Sequence, residues 1–245
     1  MSYSNNSSYA RHHVSTIASE IMSLYGAGSK PLPLRKEMME CYHCVKPLGK
    51  AGKLMQCGRC KWDIYCSKQC QRNAWPTHRP RCDNVAHMDD LNAERMHSLV
   101  LFKRRHLPTV TVLGPSVLEI YEMPIVTKHA ALLLCLDSHP ERRREVSYSV
   151  TDICLYGLDK LPGTVLHPEE VGRIRARLAL ADERLKATGH GGAFLAIMWC
   201  PDLGMAQVEL MDYMKDKFPP LSLMPGTRAE RKQLLMDVIN SDQVF

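Results

Sequence analysis

Hydrophobic positions along the chain change their spacing several times, and each spacing predicts an element. Val14, Ile17, Ile21 and Leu24 recur at steps of three and four, the period of one helical face, so an amphipathic helix is expected from about Tyr9 to Tyr25. Gly26 and Gly28 end it, and the following Lys30-Pro31-Leu32-Pro33-Leu34 reads as an extended linker. A second helix is expected over about Asn84–Arg105, with Val85, Met88, Leu91, Leu99 and Phe102 on roughly one side. The apolar run Ala130–Leu136 is assigned to a buried helix. Val146–Tyr156 is assigned to a strand, because Val146, Tyr148 and Val150 alternate. Pro168–Ala187 carries the clearest helical signal: Pro168 suits a first turn, and Val171, Ile174, Leu178, Ala181 and Leu185 make its apolar face. Gly189 stops it. Ala193–Trp199 and Ala206–Met211 read as a hairpin around Pro201-Asp202-Leu203-Gly204. A last helix opens at Thr227 with Glu230 three residues on, a capping box, and buries Leu234, Leu235, Val238 and Ile239.

These signals divide the chain into a tail, helix and linker over 1–40, a cysteine-rich segment over 41–82, and a small α+β domain over 83–245 whose own residues offer little chemistry. Composition narrows the class. The chain of 245 residues is 45% hydrophobic and 24% charged, the balance of an ordinary globular protein. Its longest apolar runs fall far short of the ~20 residues a membrane helix needs. The polar start, Met1-Ser2-Tyr3-Ser4-Asn5-Asn6, has no apolar run behind it and does not read as a secretory signal. The expectation is an intracellular protein of the nucleus or the cytoplasm.

Charge and cysteine both concentrate in the middle segment. Seven of the ten cysteines lie between Cys41 and Cys82, and in a reducing compartment clustered cysteines bind metal more often than they form disulfides. The same segment holds nine Lys/Arg against Asp63 alone, a formal +8 that leaves the rest of the chain slightly acidic. The basic balance of the whole chain is therefore no argument for nucleic-acid binding by the whole protein.

In order, the ligand-type residues are Cys41-x2-Cys44-x12-Cys57-x2-Cys60-x5-Cys66-x3-Cys70-x7-His78-x3-Cys82. They form four pairs, and two tetrahedral zinc ions need eight ligands. A Cys-x2-Cys knuckle lets two sulfurs share one metal, and residues three or four apart on a helix share one face. Sulfur-rich closed sites suit zinc, leave no position for water, and make both ions structural. In a segment with little room for a core, binding them supplies much of the folding free energy, about 10–16 kcal/mol per structural site. Spacing leaves sequential, nested and interleaved pairings open. Pro76 and Pro80 flank His78, so a tight turn is expected there in place of a regular helix. His43, inside the first knuckle, reads as a surface imidazole.

Residues beyond the ligands carry a resemblance. Tyr65-Cys66-Ser67-Lys68-Gln69-Cys70-Gln71, with Trp75, His78 and Cys82 following, resembles the MYND-type zinc finger, over 42 of the 245 residues. The resemblance implies interleaved sites: Cys41, Cys44, Cys66 and Cys70 on one zinc, and Cys57, Cys60, His78 and Cys82 on the other. It also implies a protein-interaction module that docks extended proline-containing peptides, often Pro-x-Leu-x-Pro, with transcriptional regulation as one setting. Gln71 and Trp75 are the implied peptide contacts. The residues themselves fit that use: Lys53–Cys57 and Trp62–Cys66 suit a small hairpin, and a helix from Ser67 would present Gln71 and Trp75 beside it. Trp75 packed as mini-core between the zincs is the other reading.

Other functions find less in the sequence. Nine cations in a compact module also suit phosphate binding, but Tyr42, Trp62, Tyr65 and Trp75 form no obvious stacking platform. The basic runs Lys103–His106 and Arg142–Arg144 read as surface or as import signals. Some MYND fingers sit in SET-domain lysine methyltransferases, whose Asn-His-Ser-Cys-like segment is missing here. His190-Gly191-Gly192 looks like an esterase oxyanion loop, but no Gly-x-Ser-x-Gly follows. Cys154 and Cys200, each two residues from an aspartate, are expected to pack. The chain is read as a non-enzymatic adaptor. Pro219-Pro220-Leu221-Ser222-Leu223-Met224-Pro225 is a weak candidate to occupy the finger's own groove.

Overall fold

The computed structural model describes residues 41–44, 46, 53–189, 191–213 and 226–241. The expected N-terminal helix, the linker and the Pro219–Pro225 segment lie outside them. The cysteine-rich segment forms a two-stranded hairpin, β1 (Met55–Gln56) and β2 (Ile64–Tyr65), with Met55 opposite Tyr65. Helix α1 (Lys68–Ala86) follows, its first turn capped by the Ser67 side chain, which accepts from the Cys70 N–H.

Helix α1 runs unbroken through Pro76 and Pro80, so the expected tight turn at His78 is not formed. Each proline removes one backbone hydrogen bond. What holds the helix is its inward stripe: half-buried Cys70 and buried Ala74, His78 and Cys82 recur every four residues and pack in the finger.

The long helix expected from Asn84 is two helices. The Asp89 carboxylate accepts from the Asn92 N–H and starts a new helix, α2 (Asp90–Val117), after α1 has ended. Of the predicted face, Leu99 and Phe102 reach the core, whereas Leu91 is exposed. Helix α2 continues past Arg105 through Pro108 and Pro115, because its second half is buried almost all round.

A single helical turn, Val126–His129, leads into β3 (Ala130–Ser138), the run assigned to a helix from sequence. The correction has a simple cause. Strand β3 lies inside the sheet with both faces covered, so its first seven positions are all apolar and no alternation is visible. Strand β4 (Tyr148–Gly157) begins after a 3-10 turn at Arg144–Val146. Helix α3 (Pro168–Ala187), strands β5 (Gly192–Cys200) and β6 (Met205–Tyr213), and helix α4 (Arg228–Asn240) complete the body. The hairpin turn closes at Gly204 with φ 58°, and the Thr227–Glu230 capping box is formed in both directions.

The sheet order is β4-β3-β5-β6, with β3 and β5 parallel and both outer pairs antiparallel. Alternate residues separate two cores. Leu132, Leu134, Leu136, Phe194, Ala196 and Met198 pack under α2 and α4, while Ala131, Leu133, Leu195 and Ile197 pack under α3. Helix α2 comes so close that a methyl on Gly114 would sit 3.2 Å from Leu132 Cδ2. The small α/β body is thus a mixed sheet with helices on both faces.

A glycine at the start of β5 serves this packing. Gly192 adopts φ 144°, and the buried Asp182 carboxylate accepts from the next N–H, Ala193, at 3.1 Å. Cys200 is buried, and the Cys154 thiol donates to Asp152 at 2.9 Å. No helix among the described residues is long and apolar enough to cross a membrane.

Candidate metal centre

The hairpin, the knuckles and α1 bring the eight predicted ligands together in two groups. Cys41, Cys44, Cys66 and Cys70 place their sulfurs within 4.8 Å of one another, and Cys57, Cys60, His78 and Cys82 do the same with three sulfurs and a ring nitrogen. The pairing is interleaved: the first and third pairs meet, as do the second and fourth. Helix α1 contributes to both groups, two turns apart, and so ties them into one unit.

The spacings test the metal. Four sulfurs at about 2.3 Å from a tetrahedral zinc lie about 3.8 Å apart. Cys44 and Cys66 sulfurs are separated by 3.6 Å, Cys66 and Cys70 by 3.4 Å, and Cys57 and Cys82 by 3.8 Å. His78 Nε2 stands 3.4 Å from the Cys57 sulfur and 3.8 Å from that of Cys60. None of the ten cysteines is in a disulfide, so all seven cysteine ligands are available to metal. Both groups fit zinc, and the finger holds two zinc ions, one in an all-sulfur site and one held by three sulfurs and an imidazole nitrogen.

Local backbone prepares the thiols. The Cys57–Cys60 knuckle is closed by Lys61 N–H donating to the Cys57 carbonyl, and Lys61 takes the left-handed φ of 61°. Burial opposes ionisation of Cys57, but the N–H groups of Cys60 and Arg59 and the His78 ring bring its thiol down to about 6. Cys41 is lowered to about 7 in the same way, against burial, by the N–H groups of Cys44, Cys66 and His43. Burial, then hydrogen bonds to neighbouring sulfurs, pushes Cys66 and Cys82 up to about 12. In each group one thiol, Cys41 or Cys57, is thus biased toward the thiolate that zinc binds.

One residue with a large part in the centre was not singled out from sequence. Asp63 is buried and accepts from His78 Nδ1 at 2.6 Å, which aims Nε2 at the sulfurs. Arg81 binds its other oxygen. Burial would raise the Asp63 carboxyl, but His78 and then Arg81 outweigh it and hold it at about 2. The available signal was that Asp63 is the sole acid among nine cations. Behind it, Tyr42 and Tyr65 pack edge-on at 6.1 Å between ring centres. His43 is exposed.

The finger also touches the body. Three guanidinium groups, Arg81, Arg173 and Arg177, lie 4.5, 4.6 and 5.0 Å from the centre of the Tyr42 ring, and Arg173 donates to the Thr77 carbonyl at 3.1 Å.

Gln71 and Trp75 lie on α1 away from the metal stripe. Together with Arg72 they line, among the described residues, an open depression of about 380 Å³. Trp75 is 36% exposed while its ring centre stays 5.8 Å from that of His78, so it both packs on a ligand and faces outward.

Curated relatives match this chain over the finger segment. "Histone-lysine N-methyltransferase SMYD3" of Mus musculus is 50% identical over 42 residues, 17% of this chain and 9% of that protein. "N-lysine methyltransferase SMYD2" of Rattus norvegicus is 36% identical over 44 residues, 18% of this chain and 10% of that protein. "Histone-lysine N-methyltransferase SMYD1" of Homo sapiens is 38% identical over 45 residues, again 18% and 9%. The chain thus covers about a tenth of the length of these curated relatives. No solved structure matches it. Residues 41–82 match the family model of the MYND finger, and with both metal groups assembled there, that segment of the chain is a MYND finger.

Proposed function

We propose that this chain is a non-enzymatic adaptor that docks an extended proline-containing peptide across Gln71 and Trp75 of its finger. MYND fingers are protein-interaction modules, and zinc here builds the surface without reacting: all eight ligands are committed to closed sites. The observation that carries the reading is Trp75, a large apolar ring left 36% exposed beside Gln71 on the rim of one depression. An aromatic anchor supplies contact area, and an amide satisfies a peptide backbone. The methyltransferase activity in the relatives' names belongs to proteins that share only the finger with this chain. We place the adaptor in the nucleus or cytoplasm, with a role in transcriptional regulation as one setting, and take 1–40, 41–82 and 83–245 as its units.

The test is binding of immobilised Pro-x-Leu-x-Pro peptides to the zinc-loaded chain. Trp75→Ala is expected to abolish binding, a loss of about 2 kcal/mol or more for an anchoring aromatic, with zinc content unchanged. A second reading, association with nucleic acid, draws on the cations of the finger. It predicts retention on duplex DNA that falls steeply with salt and ignores Trp75→Ala. Methyl transfer from S-adenosylmethionine by the purified chain would overturn the non-enzymatic reading.

A further inference from the structure

We infer that the peptide taken by this finger carries acidic residues next to its proline-containing stretch, on the side facing the start of α1. The inference rests on the docking reading above and names the partner's charge. Lys68, Gln71, Arg72, Trp75 and Arg79 are spaced at three and four residues, so they form one stripe along α1. Gln71, Arg72 and Trp75 line the depression, which places a guanidinium on the rim of the same surface that presents the anchor ring. Lys68 lies one turn earlier on the same stripe, and Arg72 is exposed.

The described acids of the finger and of α1, Asp63 and Asp83, are engaged elsewhere. Asp63 is buried between His78 and Arg81. Asp83 receives Arg59 at 2.6 Å and Arg79 at 3.7 Å. The first turn of α1 contains no acidic residue. Among the described residues neither Lys68 nor Arg72 makes an ion pair, whereas Arg59, Arg79 and Arg81 all do. The rim of the depression thus holds cationic charge that no described acid neutralises, and a carboxylate on the bound peptide is the complement that selects and steers it.

The experiment uses the full-length, zinc-loaded chain and three synthetic peptides with one Pro-x-Leu-x-Pro core and flanks of aspartate, serine or lysine. The aspartate peptide is expected to bind about three- to fivefold tighter than the serine peptide in low salt, and the lysine peptide weaker. The preference should vanish in ~0.5 M salt, where exposed charges are screened. Arg72→Glu, an exposed change that leaves every metal ligand in place, should reverse the order of the flanked peptides while zinc content stays at two. Equal binding of all three by the parent chain, with Trp75→Ala still abolishing it, overturns the charge inference and leaves the docking reading standing. Failure of all three to bind overturns both. Binding of duplex DNA that Arg72→Glu abolishes and the aspartate peptide does not displace assigns the cations to phosphate and overturns the inference.

Discussion

Asp63 illustrates what a single side chain does in the finger. It fixes the proton of His78 on Nδ1 and presents Nε2 to one metal group, while the other group draws on four cysteines and no imidazole. Asp63→Ala is therefore expected to weaken zinc at the Cys57-Cys60-His78-Cys82 site by roughly 10–100-fold. Titration with a chelating dye should show one ion leaving early and one unmoved. At this scale the sequence was legible for the ligands, because thiol and imidazole spacing is itself the chemistry. It was silent on Asp63, since the groups that give the carboxylate its role, His78 and Arg81, arrive from a helix further along the chain. Trp75 could not be sorted into packing or recognition from its position, because its ring packs on His78 and is still 36% exposed.

Elements were legible where one face differs from the other. Helix α3 was read to its ends, since it covers one side of the sheet and shows water the other side. Strand β3 was misread because the sheet buries both its faces, leaving leucines and alanines at successive positions. The prolines of α1 misled for another reason. Local propensity counts the lost hydrogen bonds but not the stripe of cysteine and histidine that the assembled finger needs at a four-residue period. The join between α3 and β5 gives a sharper test. A side chain at Gly192 would have to adopt φ 144° and meet the Asp182 carboxylate that receives the Ala193 N–H. Gly192→Ala is expected to destabilise the body by about 2–3 kcal/mol, read as a lower midpoint in urea with the zinc content intact.

At the scale of the whole molecule, two parts are held together by different forces. The body has a hydrophobic core on each side of its sheet, while the finger's small cluster is built mainly of its own cysteines and two tyrosines. Chelation should therefore melt the finger and leave the body. Thermal unfolding followed by circular dichroism is expected to lose one transition in chelator and retain the other near its original midpoint. Acid should act in the same direction as chelation. Zinc requires deprotonated sulfur and neutral imidazole, so its hold is full at neutral pH and is lost as protons claim the ligands. The finger segment was legible from charge and cysteine alone, but its contact with the body was not. It joins Tyr42 to Arg173 and Arg177, residues that read separately as a knuckle aromatic and the polar side of a helix.

That contact gives the finger a fixed bearing. Tyr42 packs against two arginines of α3 and the Thr77 carbonyl accepts from one of them, contacts that oppose rotation of α1 against the sheet. A peptide docked there as proposed would be presented at one angle to the body.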